Sequence, residues 1–226
     1  MLAVIKKELK TYLLSPIGYV FIGLFLLIFS IFFYITIFQY RSVNFENLFY
    51  NGATVLTFIT PVLTMRMFAE ERKTGTEQLI LTSPRSVTSI VLGKFIAAAI
   101  IMLITEAFTF MYFFILKAFG EPSLFVALTT LLGFFLLSLA YISFGMFASS
   151  ITENQIVASV ITIGAFMAMW FLPYVNDVFG LFSLISKFES FAYGLISLEE
   201  IITFISFSVL FILLTIITLQ RRKSVK

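Results

Sequence analysis

Six long apolar runs constrain this chain more than anything else in it. They cover roughly 17–38, 48–68, 87–117, 124–148, 155–175 and 198–219. A helix rises about 1.5 Å per residue, so about 20 apolar residues cross the roughly 30 Å hydrocarbon layer of a bilayer. Composition agrees: 60% of residues are hydrophobic and 12% charged, against about 45–50% and about 25% in soluble domains. The chain reads as an all-α polytopic membrane protein with six transmembrane helices in a single domain spanning residues 1–226.

Charge orients the bundle. With both termini inside, one face holds Lys6, Lys7, Lys10, Arg66, Arg72, Lys73, Arg85, Lys94, Arg221, Arg222, Lys223 and Lys226; the other keeps Arg41, Lys117 and Lys187. That asymmetry follows the positive-inside rule and puts both termini and the loop between spans 2 and 3 in the cytoplasm. It also accounts for the net charge of +3 without nucleic acid, for which no basic stripe with exposed aromatics is present. Residues 1–14 alternate Lys6, Lys7 and Lys10 with Leu2, Val4, Ile5 and Leu9 at helical spacing, as an interfacial amphipathic helix does. The run after it is too long for a signal-peptide core and no cleavage pattern follows, so it reads as a span.

The one long charged interruption is Phe68–Val87. Thr74 and Glu77 have capping-box spacing, which predicts a two-turn helix continuing through Leu79, Ile80 and Leu81. Ser83-Pro84 ends it, with Ser83 placed to cap the next helix. Two further boxes, Thr152 with Gln155 and Ser197 with Glu200, are set to open spans 5 and 6. The charged loop, residues 69–83, is either a solvated connector or a docking element. In the second case Glu70, Glu71, Arg72, Lys73 and Glu77 set register on a partner while Leu79 and Ile80 fill an apolar groove.

Chemistry of its own is scarce. Cysteine and histidine are absent, which removes thiol nucleophiles, histidine bases and the usual zinc, copper and haem ligand sets. No phosphate-binding loop of the G-x-x-x-x-G-K-[ST] type occurs, so the chain has no P-loop route to ATP hydrolysis. Lys94 and Lys117 bracket span 3 and place Glu106 near its middle, where a carboxyl must be neutral, paired or facing water. It is either a structural hydrogen-bonding group or part of a substrate or proton path. Thr54, Thr57, Pro61 and Thr64 share one face of span 2, either for packing or for a path or dimer seam. Ser159 and Thr162 are the polar residues of span 5. Span 4 carries Gly133, Ser138, Ala140, Ser143 and Gly145, which permit close helix packing. Residues 176–197 are too short and too interrupted to cross, and read as short outer interfacial or re-entrant helices.

A small bundle without a catalytic set suggests a transport subunit that borrows its energy. Two other readings stand beside it: a membrane scaffold holding a cytoplasmic partner, and a proton-coupled secondary transporter using Glu106.

The order of amphipathic helix, six spans and charged helix between spans 2 and 3 resembles the ABC-2 family of ABC transporter permeases. The string MRMFAEERKTGTEQLILTSPRSVTSIVLGKF, with SPIGYVF at Ser15–Phe21, is similar to the gliding-motility-associated or NosY-like branch. The most specific part is Glu70-Glu71-Arg72-Lys73-Thr74-Gly75-Thr76-Glu77-Gln78-Leu79. The resemblance implies an exporter in the bacterial cytoplasmic membrane, working as a dimer of permeases with separate ABC ATPase subunits. ATP and Mg would be bound on those ATPases and no cofactor on this chain. Residues 1–14 would be the elbow helix, and 69–83 the coupling region, with Thr74, Thr76, Glu77, Leu79 and Ile80 at the ATPase. Spans 2 and 5 of both copies would meet near the dimer axis, bringing the Thr54, Thr57, Pro61, Thr64 face towards Ser159 and Thr162. Family cargoes include polysaccharides, lipids, drugs and peptides, and an accessory subunit outside is an open option. The chain departs from relatives with a large extracellular domain, and shows no aromatic-rich sugar channel.

Overall fold

In the computed structural model, which describes residues 1–39, 45–82, 85–175, 180 and 183–224, all regular structure is helical. The order is α1 (Leu2–Leu14), α2 (Pro16–Tyr34, prolonged by a π turn over Ile35–Gln39), α3 (Phe45–Thr64), α4 (Ala69–Lys73), α5 (Glu77–Leu81) and α6 (Val87–Thr109). It continues with α7 (Met111–Leu116), α8 (Leu124–Ile151), α9 (Gln155–Val175), α10 (Leu184–Ala192) and α11 (Leu198–Ser224). Among the described residues, five segments are long and apolar enough to cross a membrane: Pro16–Phe38, Phe45–Lys73, Val87–Leu116, Leu124–Ile151 and Leu198–Lys223. In α9 the apolar helical stretch is shorter, Gln155–Phe171.

The small residues of the fourth run make α8 the central helix. It packs against α3, α6, α9, α10 and α11. Two glycines decide how close the neighbours come. A Cβ on Gly145 would lie 2.3 Å from Thr64 Oγ1, and one on Gly133 would lie 2.4 Å from Phe191 Cβ, so α3 and α10 sit directly on the α8 backbone. Lipid offers no hydrophobic drive between helices, so such close contact is what binds them. The second centre is aromatic. Phe134 of α8 meets Phe25, Phe29, Phe49 and Phe188 at centroid distances of 6.0, 6.1, 5.0 and 6.0 Å. Gly52 leaves room for the Phe29 ring, whose Cε2 would lie 2.3 Å from a Cβ there. Many phenylalanines are thus interior rather than lipid-facing.

Helix ends depart from the sequence reading at definable points. The box at Thr74 and Glu77 does not form. Thr74 ends α4, its hydroxyl donating to Glu70 O at 2.9 Å, and Gly75 at φ +75 turns the chain before α5 starts at Glu77. At the entry to α9, Asn154 Oδ1 accepts from Ile156 N at 2.9 Å, taking the role expected of Thr152. Ser86 rather than Ser83 caps α6, accepting from Ser89 N at 3.3 Å; Ser83 and Pro84 lie outside the described residues. So do Arg41, Lys226 and residues 176–179 and 181–182 of the outer stretch. Within the described part of that stretch, Leu184–Ala192 forms α10, whose Leu184, Ile185, Phe188 and Phe191 are buried against the bundle.

Candidate functional site

The charged loop between α3 and α6 is built into the end of the bundle. After Thr64 the chain turns, and the first N–H groups of α4 have no partner within their own helix. Ser149 of α8 supplies one. Its hydroxyl accepts from Phe68 N at 3.1 Å and Ala69 N at 3.0 Å, and donates to Met65 O at 2.9 Å. One serine of the central helix therefore caps α4 from outside and fixes where it begins.

Three sets of ion pairs hold the loop to different helices. Lys94 of α6, only 2% exposed, places Nζ 3.1 Å from Glu8 Oε1 of α1 and 2.8 Å from Glu71 Oε1 of α4, with the Phe68 ring centroid 5.3 Å away. Lys7 adds contacts to Glu8 at 3.2 Å and Glu71 at 3.5 Å. Burial pulls the Lys7 ammonium down, but Glu8 and Glu71 outweigh it, so its pKa stands above the ordinary lysine value. Arg72 of α4 reaches Glu153, between α8 and α9, at 2.7 Å. Arg222 of α11 reaches Glu77 of α5 at 3.1 Å. Arg66 pairs with Glu70 along the chain, Nε to Oε2 at 2.6 Å. The amphipathic helix is pinned as well. Gly93 lets α6 approach Val4, which a Cβ would meet at 2.7 Å, and Tyr12 donates to Leu63 O at 3.3 Å. Burial, with Glu8 and Glu71 nearby, pushes the Tyr12 phenol up, so it stays a donor.

The expected docking residues therefore divide in two. Glu71 and Glu77 turn inward, Glu77 being 7% exposed, and Glu70 and Arg72 are half-buried in pairs. Lys73, Thr74, Thr76 and Leu79 face outward, and Leu79 is 73% exposed. Ile80 lies in α5, but its side chain is outside the described part. A cleft of about 450 Å³ between the loop and α11 is lined by Arg72, Gly75, Gln78, Glu153 and the Glu77–Arg222 pair. A wider groove of about 700 Å³ runs between α1 and the loop, with Tyr12, Arg66, Thr76 and Leu79 on its walls. Local sequence gave no sign of Glu8 or Ser149; their partners are 86 and 80 or 81 positions away.

The residues expected along a path lie elsewhere. Thr57, Pro61 and Thr64 are buried, Thr64 against Gly145, while Thr54 is partly exposed. Thr162 is buried and donates to Ala158 O at 2.8 Å; Ser159 is partly exposed and donates to Ile156 O at 2.8 Å. Glu106 is buried in α6, and neither carboxyl oxygen has a hydrogen-bond partner among the described residues.

Residues 39–221 match a known family, described as ABC-2 family transporter protein. The chain belongs to the ABC-2 transporter family. No curated protein matches it. As an ABC-2 protein it is a membrane component of an ABC transporter, a class that lacks an ATPase site of its own and is partnered by a cytoplasmic ABC ATPase. The match begins at residue 39, so α1 and the first span, Pro16–Phe38, lie outside it, yet Glu8 and Tyr12 bind α1 to the ABC-2 part.

Proposed function

We propose that this chain is the permease subunit of an ATP-driven exporter, coupling ATP hydrolysis on a separate ATPase to movement of its spans. One observation carries the reading: α4 and α5 are fixed to α1, α6, α8 and α11, yet present Leu79 bare on a groove it shares with Thr74 and Thr76. A partner pushing on that surface moves several spans at once, because rigid elements and not a loose loop receive the force. An apolar anchor within a polar rim is how docking surfaces concentrate binding energy.

The finer picture is as follows. Six spans cross the bacterial inner membrane, α9 supplying the fifth. Both termini are cytoplasmic; α1 and the end of α11 lie on the loop's side of the bundle, paired with it through Lys7 and Arg222, and the positive charges gather there. The coupling region at residues 69–83 binds the ATPase, which holds ATP and Mg. Two permease copies meet through α3 and α9, where Phe58, Val157 and Ile161 are exposed, with the Thr54 and Ser159 regions near the path. The NosY-like or gliding-associated branch is part of this picture, carried by the Glu70–Leu79 string.

A second reading draws on the unpartnered Glu106: a proton-coupled carrier that works without an ATPase. Purification of the tagged chain in mild detergent separates the two. The permease brings down a P-loop ATPase in stoichiometric amount, and Leu79→Asp loses it while keeping the chain monodisperse. A chain that purifies alone and moves solute under a pH gradient overturns the permease reading.

A further inference from the structure

Between α6 and α8 lies a cavity of about 370 Å³, walled by Leu103, Phe110, Leu131, Leu132 and Phe135. All of that wall is hydrocarbon. The remaining polar group lining it is Glu106, a residue 4% exposed whose two carboxyl oxygens have no hydrogen-bond partner among the described residues. The nearby hydroxyls are committed elsewhere: Thr105 donates to Ile101 O at 2.8 Å and Thr109 to the Glu106 backbone carbonyl at 2.7 Å. The helix is also irregular here. α6 gives way to α7 at Phe110, whose carbonyl accepts from Phe113 N at 3.1 Å in an i to i+3 step. Departures from regular helix within a membrane persist where they line a cavity or are buried in protein. Leu103 and Leu132 are 52% and 43% exposed, so the cavity opens sideways from the bundle.

A carboxyl within a span is costly unless something pairs with it, and an unsatisfied buried polar group calls for an explanation. We propose that this groove binds a hydrophobic amine, its ammonium paired with Glu106 and its hydrocarbon laid along Leu103, Leu131, Leu132 and Phe135. An ammonium brings charge and three N–H donors to a group that, ionised, only accepts. An alkane leaves the carboxyl unpaired, and an anionic lipid is repelled. The volume lies at the lower end of the roughly 300–1,000 Å³ common for small-molecule sites. That the amine is cargo rests on the permease reading; the binding does not.

The test uses the full chain in phosphatidylcholine nanodiscs, without ATPase, so its result is independent of coupling. The probes are dodecylamine and dodecanol carrying the same photoreactive diazirine, with adducts mapped by mass spectrometry. The amine labels the 103–110 and 131–135 segments and is displaced by plain dodecylamine. Glu106→Gln, equal in shape, lowers amine labelling by about tenfold, the scale of losing a charge-assisted bond, and leaves the alcohol unchanged. Leu132→Trp fills the groove and blocks both probes with the carboxyl still present. If Glu106→Gln does not purify as a single species, the wild-type ratio of amine to alcohol labelling decides, expected at about tenfold. Equal labelling by the two probes, adducts spread over every lipid-facing helix, or a second copy of the chain crosslinked at the groove overturns the proposal.

Discussion

Lys94 carries an ammonium that is 2% exposed, and two carboxylates from different helices converge on it. Taking those charges out of water is costly, and removing one partner strands the others. Lys94→Met is expected to lower stability by about 3 kcal/mol, read as an earlier unfolding transition of the detergent-solubilised protein. Tyr12 gives a prediction in pH. Its phenol is raised above the ordinary value of 10.0 by burial and by Glu8 and Glu71. Below that value it is protonated in both states; above it the unfolded chain ionises first, so stability falls as pH rises further. Lys7, also raised, is fully charged below its ordinary 10.5 and loses its contribution on the same alkaline side. Thermal melts should therefore be insensitive to these two groups from about pH 6 to 9, and Tyr12→Phe should flatten the alkaline decline. At this scale the sequence revealed little. Lys94 looked like a marker for the end of a span, because nothing near it in the chain shows that Glu8 and Glu71 arrive from 86 and 23 positions away.

Among the elements, α5 and α8 carry the account. Glu77 ties α5 to α11 through Arg222 at 3.1 Å, so its charge acts first within the chain. Glu77→Arg and Arg222→Glu should each reduce recovery of the ATPase with the permease. The double exchange should restore most of it, since the pair re-forms with the charges reversed. Quantitative pull-down of the three variants measures this, and absence of rescue would mean that Glu77 has a second contact. For α8, Gly145→Val should destabilise the bundle by about 1–3 kcal/mol through overpacking, because its first side-chain atom already overlaps Thr64. A denaturant titration of the variant checks that value. The importance of α8 was legible in its run of glycine, serine and alanine. The start of α5 was not, since Gly75 at φ +75 separates Thr74 from Glu77 and breaks an otherwise regular capping spacing. Asn154 displaced Thr152 for a similar reason: caps depend on where the chain turns, which spacing alone leaves undetermined.

For the whole molecule, hydropathy made the all-helical membrane architecture legible, and the Glu70–Leu79 string pointed to the ABC-2 family that residues 39–221 match. What stayed hidden was how the charged loop is held, because that depends on tertiary contacts among α1, α6, α8 and α11. The central claim is that this clamped loop is where the ATPase binds. The most direct measurement replaces Leu79 with a photoreactive phenylalanine in living cells, with Tyr193 at the opposite end, 69% exposed, as the control. The account predicts a crosslink from position 79 to a P-loop ATPase and none from 193. No ATPase adduct at 79, or equal adducts at both positions, would contradict it.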